Sequence, residues 1–68
     1  MNKNDVFQII ESLKKNNKLK FKLFKANGET FFLEQKSFLK LITPELCSYK
    51  DSEDNQKFFL VDEIIDFI

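Results

Sequence analysis

Gly28 is the only glycine in the chain, and it follows Asn27 between two runs rich in apolar and charged residues. On its N-terminal side Leu19, Phe21 and Leu23 alternate with Lys20, Lys22 and Lys25, the period of a strand buried on one side. Asn-Gly accepts positive φ at both central positions of a type I′ turn, so the pair predicts a two-residue hairpin. That turn sets Phe24 opposite Phe31 and Leu23 opposite Phe32, with the returning strand running from Thr30 to about Gln35. Both faces of this second strand then carry phenylalanine.

Before the hairpin, Val6, Ile9, Ile10 and Leu13 fall at i, i+3, i+4 and i+7, one face of an amphipathic helix over about residues 5–15. Asn4 or Asp5 caps its start, and Asn16 and Asn17 stop it. Asp5 and Glu11 lie toward the beginning and Lys14 and Lys15 toward the end, the order that complements the helix dipole. Phe7 lies off the buried stripe.

After the hairpin, Phe38, Leu39, Leu41 and Ile42 suit either a bent continuation of the sheet, which is the expectation, or a short helix capped at Ser37. Thr43-Pro44-Glu45 reads as a helical turn with Pro44 at its first position, or as a loop. Leu46 to Lys50 reads as a strand, Asp51 to Gln56 as a polar turn and Lys57 to Val61 as the next strand. Leu60, Val61, Ile64, Ile65 and Ile68 also match one helical face. The reading preferred here is a strand, a polar corner at Asp62-Glu63, and a last strand from Ile64 to Ile68. The whole is one α+β domain over 1–68, with the sheet part beginning at about residue 19.

A chain of 68 residues has room for one small core, and folds of this size usually add a disulfide, a metal or a partner. Cys47 is the only cysteine and there is no histidine, so an internal disulfide and an ordinary zinc site are excluded. Self-association is the staple that remains. Cys47 reads as a small core residue in a reducing, cytoplasmic setting. No run of apolar residues is long enough to span a bilayer, and neither a membrane nor a cofactor is expected. Net charge is zero, yet residues 1–25 hold seven lysines and residues 45–68 seven carboxylates. Solvated faces account for this asymmetry, or a head-to-tail attraction between copies.

Enzymatic constellations are absent: there is no histidine base, no G-x-x-x-x-G-K and no G-x-G-x-x-G, so no catalytic residue is assigned. Asp62, Glu63 and Asp66 read as an acidic corner facing water rather than a calcium or magnesium site, because no glycine-turned loop surrounds them. Lys14, Lys15, Lys18, Lys20 and Lys22 form the one basic strip. Phosphate contact by such a strip is salt-dependent, although every cation here is lysine rather than the forked arginine that phosphate sites favour.

A short helix, the strand and turn Phe21-Lys-Leu-Phe-Lys-Ala-Asn-Gly28, the segment Leu46-Cys-Ser-Tyr-Lys-Asp-Ser and the stretch Phe58-Phe-Leu-Val-Asp-Glu-Ile64 together resemble the Sm-like, Hfq-like family from about Val6 to Ile68. The resemblance implies a strongly bent, five-stranded antiparallel small barrel of the Sm-like or SH3-like kind. It also implies a homo-oligomer, in the family a ring, closed by strand pairing between copies with Phe58, Phe59, Leu60, Val61, Ile65 and Phe67 at the contact. RNA is the implied ligand, held by a basic rim to which Lys14, Lys15 and Lys18 correspond, with Gln8 as the one helix glutamine near a base. This chain departs from the family at two places. The Tyr-Lys-His signature of the uridine pocket is here Leu60, Val61 and Asp62, and the glycine at the bend of the second strand is missing. The alternative function is a protein-binding adaptor that binds no nucleic acid.

Overall fold

The computed structural model describes residues 1–68 as one N-terminal helix and six strands in two three-stranded antiparallel sheets. Helix α1 spans Lys3–Lys14, and the strands are β1 (Lys20–Lys25), β2 (Thr30–Glu34), β3 (Lys40–Leu41), β4 (Leu46–Lys50), β5 (Gln56–Leu60) and β6 (Ile64–Phe67). The sheets run in the orders β2-β1-β6 and β3-β4-β5. The α+β class with its leading helix is as expected, but the strands number six rather than five and do not close into a single barrel. The extra strand arises because the second strand breaks where a bend was expected.

The helix begins two residues earlier than its hydrophobic stripe suggests, because Asn2 rather than Asn4 or Asp5 caps it. Asn2 Oδ1 accepts the Asp5 N–H at 3.0 Å and Asp5 Oδ2 accepts the Asn2 N–H at 2.9 Å, a reciprocal capping box. At the other end Asn16 takes φ 58°. Its N–H reaches Leu13 O at 3.4 Å while Asn17 N–H reaches Ser12 O at 3.0 Å, the paired closure of a Schellman motif. Val6, Ile9 and Leu13 are buried against the sheets, Ile10 sits at the edge of the core, and Phe7 is exposed.

The β1–β2 hairpin turns through three residues rather than two. Lys25 N–H donates to Glu29 O at 2.8 Å and Gly28 N–H to Lys25 O at 3.0 Å. Gly28, at φ 91°, supplies the positive φ that a three-residue loop requires. Leu23 therefore faces Phe31 and Phe24 faces Thr30, one residue away from the expected register. A slip of one residue exchanges the faces of a strand. Phe31 and Leu33 consequently turn inward with Phe21 and Leu23, while Phe32 faces out beside Lys22.

Between β2 and β3 the chain makes a 3-10 turn at Gln35–Ser37, in which Ser37 Oγ accepts the Glu34 N–H at 3.0 Å. Phe38 follows in the left-handed region at φ 48°, ψ 52°. Ser37 and Leu39 on either side are both buried. The chain can sink both neighbours only by turning sharply at Phe38, whose own side chain is left outside. A residue with a Cβ loses roughly 1–2 kcal/mol in this conformation, and a glycine would not.

Thr43-Pro44-Glu45 is a loop, tied by Thr43 Oγ1 accepting the Leu46 N–H at 3.0 Å. A second 3-10 turn, Val61–Glu63, forms the corner between β5 and β6. The Glu63 carboxylate accepts the Leu60 N–H at 2.9 Å, which caps this single turn at its start. Residues 56–67 are thus strand, corner and strand, as preferred from the sequence. β6 carries one extra residue, Ile65, between the partners of Phe24 and Lys25; this bulge turns Ile65 out of the core. The core joins Val6, Ile9 and Leu13 of the helix to Phe21, Leu23, Leu33, Cys47, Phe59, Val61 and Ile64. Phe59 stands at its aromatic centre, 5.2 Å from the Phe31 ring and 5.8 Å from Tyr49.

Candidate functional site

Lys14, Lys15 and Lys18 all lie exposed around the C-terminal end of α1, where the Schellman closure turns the chain toward β1. They are not equivalent. Lys15 Nζ pairs with Glu11 at 2.8 Å, which raises the lysine pKa and lowers that of Glu11 through their hydrogen bond. Lys18 Nζ rests 4.8 Å from the centroid of Phe21. Lys14 has no carboxylate within ion-pair distance. Gln8 is exposed on the same helix, well before this end.

Lys14 lines a groove of about 580 Å³ between the last turns of α1 and the bend after β2. Ile10, Leu13 and Leu39 supply apolar walls, and Phe38 and Lys40 stand across from Lys14. The Gln35 side chain crosses to the helix and donates to Leu13 O at 3.2 Å, so its amide nitrogen is already engaged. Glu34 also borders the groove, but its carboxylate lies 3.4 Å from Lys36. The sequence offers Lys14 only as part of a basic rim at the helix end, and neither the groove nor Phe38 and Lys40 as its lining is visible there. Only the fold brings the bend against the helix.

The residues assigned to a contact between copies divide by face. Phe59 and Val61 are buried in the chain's own core, and Phe67 is partly buried with its ring 6.2 Å from Phe21. Phe58, Leu60 and Ile65 point outward, Phe58 at 57% exposure and Ile65 at 66%. Ile68 is exposed beside them in sequence and hydrogen-bonds through its backbone to Lys22. Within the chain β5 pairs only with β4 and β6 only with β1, so each keeps one free edge.

The outward face of the first sheet carries a further basic and aromatic group that the sequence showed only as a strip. Lys20 and Lys22 place their ammonium groups 4.2 and 5.9 Å from the centroid of Phe32. Glu34 is paired across from Lys20 and Asp66 across from Phe24, so this face is balanced in charge rather than basic. At the acidic corner Asp66 accepts the N–H of Phe67 at 2.8 Å, and Glu63 lies 3.7 Å from Lys25. No three carboxylate, cysteine or histidine side chains converge as a metal would need. Burial pushes the Cys47 thiol up to about 11, which leaves it protonated and unreactive at neutral pH. No protein-family model, curated protein or solved structure matches the chain.

Proposed function

We propose that this chain is a non-enzymatic binding module that assembles with copies of itself by strand pairing, in the manner of an Sm-like small barrel. What carries the reading is the pair of free edges at β5 and β6, each bearing exposed apolar side chains: Phe58 and Leu60 on one, Ile65 on the other. An unpaired, apolar strand edge is a template for another strand, and soluble proteins normally cover or charge it. Pairing β5 of one copy to β6 of the next joins the two sheets across the contact and shelters these side chains. Phe59 and Val61 then contribute backbone rather than side chain, because their side chains already fill the core. In such a ring the break at Phe38 takes the place of the glycine bend, making β2 and β3 two halves of one bent strand.

The mass in solution tests this reading. Leu60→Asp alters an exposed side chain, so the variant is expected to fold yet sediment as a monomer where the parent chain is assembled. A parent chain that stays monomeric at about 100 µM, where even a weak interface of Kd near 10 µM would be mostly occupied, overturns the proposal.

Weak RNA binding through Lys14, Lys15 and Lys18 is a second reading, favoured by their common exposure at one end of the helix. Labelled A-rich and U-rich RNA titrated at two salt concentrations checks it, with the three lysines replaced by alanine. Binding that ignores salt or the triple substitution removes RNA and leaves the protein-binding adaptor.

A further inference from the structure

Phe38 is an unusual residue to find in a left-handed conformation. Its φ of 48° and ψ of 52° close a 3-10 turn at a position where glycine or asparagine is the ordinary occupant. A bulky side chain there is strained, and burial does not compensate, because Phe38 remains 63% exposed. The turn itself does not need the ring, since Ser37 and Leu39 anchor the backbone on both sides. The ring's use therefore lies outside the chain. Strain of this kind gathers at sites that engage a ligand or partner.

The surroundings define what can be engaged. Phe38 lines the groove of about 580 Å³ against Ile10, Leu13 and Leu39, within the size range of binding clefts. Of its polar lining, the Gln35 amide nitrogen is already bonded to the helix and the Glu34 carboxylate sits beside Lys36, which leaves the Asn16 amide and the Gln35 Oε1. A nucleobase entering would have only these two amide groups to meet its several donors and acceptors, whereas an aliphatic or aromatic side chain has none to satisfy. At the mouth Lys14 and Lys40 are both exposed and neither has an acidic partner within 4.0 Å. Two free cations flanking an apolar slot complement carboxylates flanking an apolar anchor.

We infer that the groove between α1 and the β2–β3 bend is a docking site for an acidic peptide segment of another protein, which inserts an aliphatic or aromatic side chain against Phe38 while its carboxylates meet Lys14 and Lys40. The site is separate from the β5 and β6 edges and does not depend on self-assembly. Phe38 is its anchor, retained at the expense of stability.

The test uses the full chain and three labelled probes: a synthetic peptide with leucine and phenylalanine spaced among aspartates and glutamates, the same peptide with lysines for its acids, and a uridine decamer. Backbone amide shifts locate binding and fluorescence anisotropy measures it, with the mass in solution followed alongside so that changes in assembly are read separately. The acidic peptide is expected to shift Leu13, Lys14, Phe38, Leu39 and Lys40. Lys14→Glu with Lys40→Glu is expected to weaken it about tenfold. Phe38→Gly is expected to weaken binding about tenfold or more while raising the melting temperature by roughly 2–6 °C, and Phe38→Tyr is expected to change neither greatly. An acidic peptide that leaves the groove amides unmoved overturns the inference. So does a Phe38→Gly chain that melts lower than the parent. Shifts at the groove from the lysine peptide or the uridine decamer in place of the acidic peptide also overturn it, the decamer result assigning the groove to nucleic acid.

Discussion

Phe58 and Phe59 are neighbours on β5 with opposite environments, 57% and 2% exposed, and replacing each by alanine separates the faces of the strand. Phe59 packs on Phe31 and Tyr49 at the centre of the core. Truncating a buried phenylalanine to alanine costs about 3–5 kcal/mol, combining lost transfer energy with the cavity left behind. At about 0.05–0.15 kcal/mol per residue, a chain of 68 residues has a total stability of roughly 3–10 kcal/mol. Phe59→Ala should therefore bring the chain to the edge of unfolding. Phe58→Ala removes an exposed ring and should cost less than about 0.5 kcal/mol in the monomer. Urea titration followed by far-UV circular dichroism measures both, at a concentration low enough to dissociate copies. A concentrated series then shows whether Phe58→Ala becomes costly only when an interface forms. Equal losses for the two variants in dilute solution would refute the assignment of faces on β5, and the free-edge argument with it.

Two further outcomes follow from local geometry. Gly28→Val should lower the melting temperature by about 5–10 °C, because φ 91° strains any side chain; a Cβ there meets nothing within 4 Å, so an unchanged melting temperature would mean the turn does not hold this conformation. The Asp51 carboxylate is held below its ordinary pKa, chiefly by the Asn55 N–H and also by that of Glu53, both 2.9 Å from Oδ1. A pKa lower in the folded chain stabilises it above the unfolded value, and that contribution is lost as pH falls through the folded one. The urea midpoint should therefore drop as pH falls below about 4, and Asp51→Asn should flatten that slope; a slope unaltered by the substitution would exclude Asp51 as a source.

The parts of the fold readable from the sequence were those in which one periodicity had no rival. Val6, Ile9 and Leu13 could form only a helix face, and Phe21 and Leu23 only a strand face. The hairpin register was harder, because Asn27-Gly28 serves both two-residue and three-residue loops and a phenylalanine stands at both 31 and 32. The deciding signal was present in Leu33 and Glu34. Placing leucine inward and glutamate outward selects Phe31 for the core, as the structure does. Asn2 and Asp5 likewise have the spacing of a capping box, but Asn4 is chemically as good a cap, so the sequence does not choose between them. At residues 60–68 helical and strand patterns coincide, and what separates them is long-range: β6 pairs with β1, and the Val61 N–H donates to Glu45 O. The groove had no linear signature. Lys14 is distant in sequence from Phe38 and Lys40, and nothing local shows that Phe38 must be expelled so that Ser37 and Leu39 can be buried.

The second sheet is one uninterrupted stretch of chain, residues 40–60, set between β2 and β6 of the first. Its turns are short, so β3, β4 and β5 can find one another early, whereas β6 reaches β1 only after a long loop has been drawn closed. The first sheet is therefore completed by the longest-range pairing in the fold, and until that loop closes β1 keeps an open edge on the side away from β2.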